Sequence, residues 1–267
     1  MQLLFAAAVA AYCPLSPASA QDSASPWATS SKSAARLIAA PANETGVYRA
    51  GIEIKLSPNT ITYWRSPGES GVSPVFDFAQ SSNVQSATVS FPAPRRIDEG
   101  GSEVFGYDTA VVLPIRVQPN QPGKPVDLVL ELDYAACEKI CLPVHASLRL
   151  TLPPKRGTAT EALAAAEAAV PRRLSQEETA RLVQITPISA DTPTWRLTWR
   201  GGPASDLFAE GPDLFYIETK RSGDAFLVSI AEHPKGLPIP DQPVRFTLTG
   251  EQPAEFALHL DGSGVAQ

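Results

Sequence analysis

The sequence predicts an all-β protein: an immunoglobulin-like antiparallel sandwich, a short helical connector and a second, smaller sandwich-like domain. Three observations carry this reading. Short runs that alternate apolar and polar residues recur along the chain, as the two-residue period of a half-buried strand requires. Turn residues separate these runs, and the 26 prolines and 17 glycines are spread among them. Finally, an Ala-rich stretch with helix-forming composition lies between two strand-rich blocks.

The elements follow in chain order. Leu3 to Ala11 is apolar and leads to Ala18-Ser19-Ala20, a small-x-small site followed by polar Gln21-Asp22-Ser23; residues 1–20 read as a cleaved export signal, although no Lys or Arg precedes the apolar run. Cys13 lies within that leader, and Tyr12 stands where a lipoprotein needs a small residue. Residues 21–45, rich in Ser, Ala and Thr, are expected as a flexible lead-in or an early edge segment. Strand patterns then run over Tyr48–Leu56, Val84–Phe91, Ala110–Val117, Val126–Tyr134 and Ala146–Leu152, punctuated by Ser57-Pro58-Asn59, Ser66-Pro67-Gly68, Gly100-Gly101 and Pro119-Asn120-Gln121-Pro122-Gly123. Short strands at this spacing predict the first sandwich over 46–153. Pro153-Pro154 closes it, and a connector over 154–183 follows: a helix from Thr158 to Val170, a break at Pro171, then a capping box, Ser175-Gln176-Glu177-Glu178, starting a second helix. Both helices read as a solvated spacer. A second strand-rich block over 184–262 includes Thr194–Trp199, Ala225–Ile230 and Val244–Thr249; Trp195 and Trp199 read as core or interface aromatics.

Composition narrows the function classes. The chain has 267 residues, a net charge of −6 and 43% hydrophobic residues, enough for two modest cores. An acidic balance without basic runs argues against nucleic acid as a partner. After the leader no segment approaches 18 consecutive apolar residues, so the chain is not expected to be membrane-embedded. An exported chain that keeps cysteines points to the periplasm, where disulfides persist.

Chemistry concentrates in Tyr134-Ala135-Ala136-Cys137-Glu138-Lys139-Ile140-Cys141-Leu142-Pro143, which holds both cysteines outside the leader. Glu138-Lys139-Ile140 has the length of a tight hairpin loop, so the two cysteines can face each other across it within bonding range. A disulfide closing so short a loop contributes about 2 kcal/mol, little for a domain with its own core. A redox-active pair uses the same geometry better, because short accessible disulfides exchange with thiols. Lys139 favours a thiolate and Glu138 opposes it, so the loop gives no net direction. A metal site is the third reading, with His145 as a weak candidate ligand beside Cys137 and Cys141. The spacing alone leaves all three open, and no cofactor is expected.

A set of ordered motifs adds to this. Tyr63-Trp64-Arg65-Ser66-Pro67-Gly68-Glu69-Ser70-Gly71, Pro74, Phe76-Asp77, Ser82-Asn83-Val84, Phe91-Pro92-Ala93-Pro94, Phe105-Gly106-Tyr107, Val112-Leu113-Pro114 and the Tyr-x-x-Cys-x-x-x-Cys-x-Pro run together resemble the amino-terminal periplasmic domain of the DsbD and ScsB thiol:disulfide interchange family. The resemblance covers about residues 45–153 and is closest to the ScsB-like branch, to whose further periplasmic segment Asp206–Pro212 is similar. It implies an immunoglobulin-like domain that relays reducing equivalents, with Cys137 and Cys141 as the catalytic pair, Cys141 meeting the client and Cys137 resolving the mixed disulfide. It also implies an aromatic cap, for which Tyr63, Trp64, Phe105 and Tyr107 are the candidates, although plain core is the commoner role for each; Glu69, Asp77 and Glu103 are candidates for tuning proton transfer, with solvated loop carboxylates as the favoured alternative. The implied partners are a separate membrane thiol-electron transporter, since this chain carries no membrane or thioredoxin-like domain, and disulfide-containing periplasmic clients. Two other readings stand beside the relay: an interaction or assembly module with a structural disulfide, and a copper-handling protein.

Overall fold

The computed structural model describes residues 23–41, 46–152, 159–189, 193–212, 215–232, 242–260 and 264–265. The export signal and Cys13 lie outside the described residues.

The first domain is built from β1 (Ala28–Thr29), β2 (Ser33–Ala40), β3 (Tyr48–Leu56), β4 (Thr62–Gly68), β5 (Val75–Asp77), β6 (Val84–Val89), β7 (Arg95–Glu99), β8 (Ser102–Tyr107), β9 (Val111–Pro119), β10 (Val126–Cys137) and β11 (Cys141–Leu152). One sheet has the order β1-β2-β3-β9-β6 and a second the order β11-β10-β5. Alternation sends Leu37, Ile52, Ile54, Leu113 and Ile115 from the first, and Leu128, Leu130, Leu132 and Leu148 from the second, into one shared core. A smaller sheet, β4-β8-β7, lies over one end of this sandwich. The structure is mostly strand, and the all-β, immunoglobulin-like class holds.

The supposed lead-in differs from expectation. Ser33–Ala40 is an internal strand paired to β1 and β3, and Leu37 and Ala39 are fully buried. Its run of small residues lacks the polar alternation that marks a strand with one wet face, because both of its faces are covered: Ala35, Leu37 and Ala39 in the main core, Ile38 and Ala40 under a helix.

That helix, α1 (Thr160–Ala168), is docked rather than solvated. Leu163 is fully buried against Ile38 and Ala40, and Glu167 holds Arg49 at 2.5 Å. The second helix, α2 (Gln176–Leu182), starts with the expected capping box: the Ser175 hydroxyl accepts from the Glu178 N–H while the Glu178 carboxylate accepts from the Ser175 N–H.

The second domain contains β12 (Arg172–Arg173), β13 (Val183–Ser189), β14 (Thr194–Trp199), β15 (Ala204–Glu210), β16 (Tyr216–Ser222), β17 (Ala225–Glu232), β18 (Val244–Gly250), β19 (Ala254–His259) and β20 (Gly264–Val265). Its sheets, β12-β19-β18-β15 with β20 on β19, and β13-β14-β17-β16, enclose a core that includes Leu197, Phe226, Val228, Phe246 and Leu248. Trp195 is buried in that core, and Trp199 stacks on Phe256 at 6.3 Å. β15 serves both domains. Successive strand residues point to opposite faces, so Leu207 enters its own core while Phe208 enters the core of the first domain. Among the described residues, no helix is long and apolar enough to cross a membrane.

Candidate functional site

The site grows from the β10–β11 hairpin. These strands pair along their whole length from Val126↔Leu152 to Cys137↔Cys141, so the register itself sets the two cysteines opposite each other. Their Cα atoms are 4.0 Å apart and the sulfurs are bonded. The two sulfurs have different surroundings. Cys137 is 1% exposed and tied at its backbone to Ile61, whereas Cys141 stands in solvent. An attacking thiolate therefore reaches Cys141 and not Cys137.

The sheet β4-β8-β7 supplies the cover. Gly100 and Gly101 join β7 to β8 with φ of 65° and 96°, the paired positive values of a two-residue hairpin turn that glycine adopts without strain. Gly106 lets β8 approach β4, because a Cβ there would lie 2.2 Å from the Thr62 carbonyl oxygen. One face of this sheet carries Tyr63, Val104 and Ile97, packed with Cys137, Ile61 and Ala135.

At the edge of this face, polar groups converge on sulfur. The Tyr63 hydroxyl lies 3.1 Å from Cys137 Sγ and 3.3 Å from Cys141 Sγ, and it donates to Glu99 Oε2 at 2.8 Å. The other Glu99 oxygen is 3.4 Å from Cys141 Sγ. Burial first, and then the adjacent Glu99 carboxylate, push the Tyr63 pKa up, so the phenol keeps its proton across the physiological range. Its single O–H is given to Glu99, and its oxygen stands within hydrogen-bond reach of either sulfur. At the hairpin loop, Glu138 is paired with Lys32 at 2.5 Å; that hydrogen bond and charge hold its carboxyl below the ordinary range.

Of the sequence-predicted cap and modulating residues, Tyr63 alone touches the pair. Trp64 and Phe105 point away from sulfur into the main core, where both meet Phe208, and the Tyr107 hydroxyl donates to the Pro92 carbonyl at 2.8 Å. Glu69 is exposed, Asp77 accepts from the Ala79 N–H in its own turn, and Glu103 is bonded to Arg96. The carboxylate that does reach sulfur, Glu99, was not singled out from sequence. Its signal was the Gly100-Gly101 turn: a residue just before such a turn sits at a hairpin tip, although which hairpin covers the cysteines is a tertiary fact.

The metal reading changes as well. Both ring nitrogens of His145 are engaged, Nδ1 with Asp133 at 2.8 Å and Nε2 with Glu131 at 3.1 Å. Among the described residues, the group close enough to share an ion is Glu99, Cys137 and Cys141, with donor atoms within 4.8 Å of one another. The bond between the two sulfurs occupies that donor set in the state seen here.

Residues 30–153 match the family described as Thiol:disulfide interchange protein DsbD, N-terminal. This domain belongs to the DsbD amino-terminal family. The match begins at Ser30, ahead of β2, so the DsbD-type domain includes the strand expected as lead-in. No curated protein matches the chain. Among solved structures, the N-terminal periplasmic domain of ScsB from Proteus mirabilis superposes with a TM-score of 0.69 at 21% identity, over 92% of this chain and 99% of that one. That likeness spans both domains and speaks for the fold. The human desmocollin-1 ectodomain matches at a TM-score of 0.21 and 10% identity, over 80% of this chain and 43% of its own, too weak to carry an argument.

Proposed function

We propose that the protein is a periplasmic thiol–disulfide exchange carrier, taking electrons from a membrane thiol transporter and passing them to oxidised periplasmic proteins through Cys137 and Cys141. The observation that carries this is the asymmetry of the disulfide: one sulfur stands in solvent and the other is sealed beneath Tyr63, Val104 and Ile97. A bond kept only for stability gains nothing from such a difference, whereas an exchange site needs one sulfur to meet partners and one to resolve. The DsbD family of the domain points the same way.

In the reducing direction, the Cys141 thiolate attacks a client disulfide, forming a mixed disulfide and releasing one client thiolate. The Cys137 thiolate then attacks Cys141 Sγ, the mixed bond breaks, and the client leaves as a dithiol. The client gains two electrons and two protons, and the Cys137–Cys141 bond is restored. Tyr63 turns its single O–H from Glu99 to whichever sulfur carries negative charge. Glu99 works against charge on Cys141 and is placed to accept its proton. Beside Cys141, Val72, Val75, Pro143 and Val144 line an apolar cleft in which the partner segment flanking its own cysteine would rest.

Single-cysteine trapping tests the reading. Cys137→Ser should accumulate mixed disulfides with partners through Cys141 and be unable to release them, while Cys141→Ser should capture nothing. Absence of covalent adducts with Cys137→Ser in cells producing the protein in the periplasm would leave a structural bond.

A further inference from the structure

The cap sheet has a second face, and the second domain is built against it. Register and alternation place Tyr63, Val104, Ile97 and Glu99 on the side of β4-β8-β7 that meets sulfur. The opposite side carries Trp64, Phe105, Arg96 and Glu103. Phe208 of β15 lies edge-on to both aromatics, 6.0 Å from Trp64 and 4.9 Å from Phe105. The Arg96 guanidinium lies over Phe105 and Phe208, pairs with Asp206 at 2.9 Å and donates to the Leu207 carbonyl and the Thr219 hydroxyl at 3.0 Å each. Burial alone would lower the Arg96 pKa; Asp206 and Glu103 more than offset it. The adjoining strand is held too, since Arg65 binds Glu210 at 2.7 Å and Glu255 at 2.6 Å. The cap sheet has only three strands and a small apolar patch on its sulfur face, so packing on the opposite face bears heavily on where it stands.

We infer that the second domain is a brace for the cap: through Phe208 and the Arg96–Asp206 pair it fixes where Glu99 and Tyr63 stand, and so sets the reactivity of Cys141. Arg96, Asp206 and Phe208 are positioning residues, for none of them touches sulfur. The inference extends the exchange reading above but concerns the disulfide itself, whatever its partner. The braced Glu99 carboxylate holds negative charge 3.4 Å from the sulfur that an anionic thiolate must approach. When the brace is released the hairpin can swing away, and that repulsion goes with it.

Dithiothreitol supplies the test with the whole protein. One of its thiolates attacks Cys141 Sγ, and Cys137 leaves as a thiolate. The second dithiothreitol thiol then closes its own ring and frees Cys141, so that reagent is oxidised by two electrons and the protein pair reduced. The second-order rate is measured well below the unfolding temperature for wild type, Asp206→Asn, Phe208→Leu, Glu99→Gln and the two combinations with Glu99→Gln. Asp206→Asn and Phe208→Leu should each raise the rate about fivefold, the scale of one unit charge removed from a few ångströms away in a solvated site. Their effects should not multiply with that of Glu99→Gln, because the repulsion can be lost only once. Distant sites that are uncoupled would multiply. Val228→Ala, which thins the second core away from the interface, should leave the rate unchanged. Rates within twofold of wild type for both brace variants, fully multiplicative combinations, or an equal rise in Val228→Ala would each overturn the brace. None of these results depends on whether a partner is captured by Cys137→Ser.

Discussion

Around the disulfide, polar side chains are few and unevenly matched: one phenol faces two sulfurs and a carboxylate, and that carboxylate has no cation beside it in the contacts described. At the domain interface the opposite holds. Arg65 and Arg96 are each forked between two carboxylates, and an aromatic cluster fills the space between them. The contrast teaches how one small sheet can serve both ends. Dense ion pairing on one face, where only the buried Trp64 indole nitrogen has no hydrogen-bond partner among the described groups, removes alternatives and holds the backbone still. Sparse pairing on the other leaves a donor and an acceptor that can change partners when a sulfur changes charge.

The largest effect should come from the densely paired side. Phe208→Ala empties a fully buried site in the core of the first domain and should cost about 4 kcal/mol in urea unfolding. It should lower the stability of both domains together. Loss confined to the second domain would break the comparison, since it would mean that the interface does not support the first core. Replacing both cysteines by Ser should cost much less, about 2 kcal/mol at most, because the loop closed by the bond is so short. A larger loss than that of Phe208→Ala would return the disulfide to a structural role.

The smallest effect lies at the rim of the sulfur region. The hydrogen bond and charge of Asp133, helped by Glu131, raise the pKa of His145 above its ordinary 6.5. Its contribution to stability is therefore complete below pH 6.5 and fades as the pH climbs through the raised folded value. Proton NMR should place its titration midpoint above 6.5, and Asp133→Asn should bring it back. A midpoint at or below 6.5 would show that the pairing does not persist in solution.

The legible part of the molecule was the part governed by local pattern. Tyr48–Leu56 and Thr194–Trp199 alternate cleanly and are strands with those bounds, and Ser175 and Glu178 announce their capping box. Ser33–Ala40 and Arg95–Glu99 were not legible, for contrary reasons: the first is buried on both faces and made of small residues, the second is mostly charged because its charges are answered elsewhere in the fold. At the site, Cys137, Cys141 and Tyr63 could be named from sequence. Trp64 and Phe105 carry the same aromatic character, but strand alternation turns them to the other face, and only the three-dimensional register separates cap from interface. Glu99 depends on which hairpin folds over which, and that information is not local.

Phe208 has a consequence for how the protein is made. A chain delivered amino end first exposes Trp64 and Phe105 well before residue 208 exists, so the leading sandwich waits with an unfilled socket. The disulfide-bearing half is therefore finished only by its successor, and thiol chemistry at its rim is ready once the last strands have arrived.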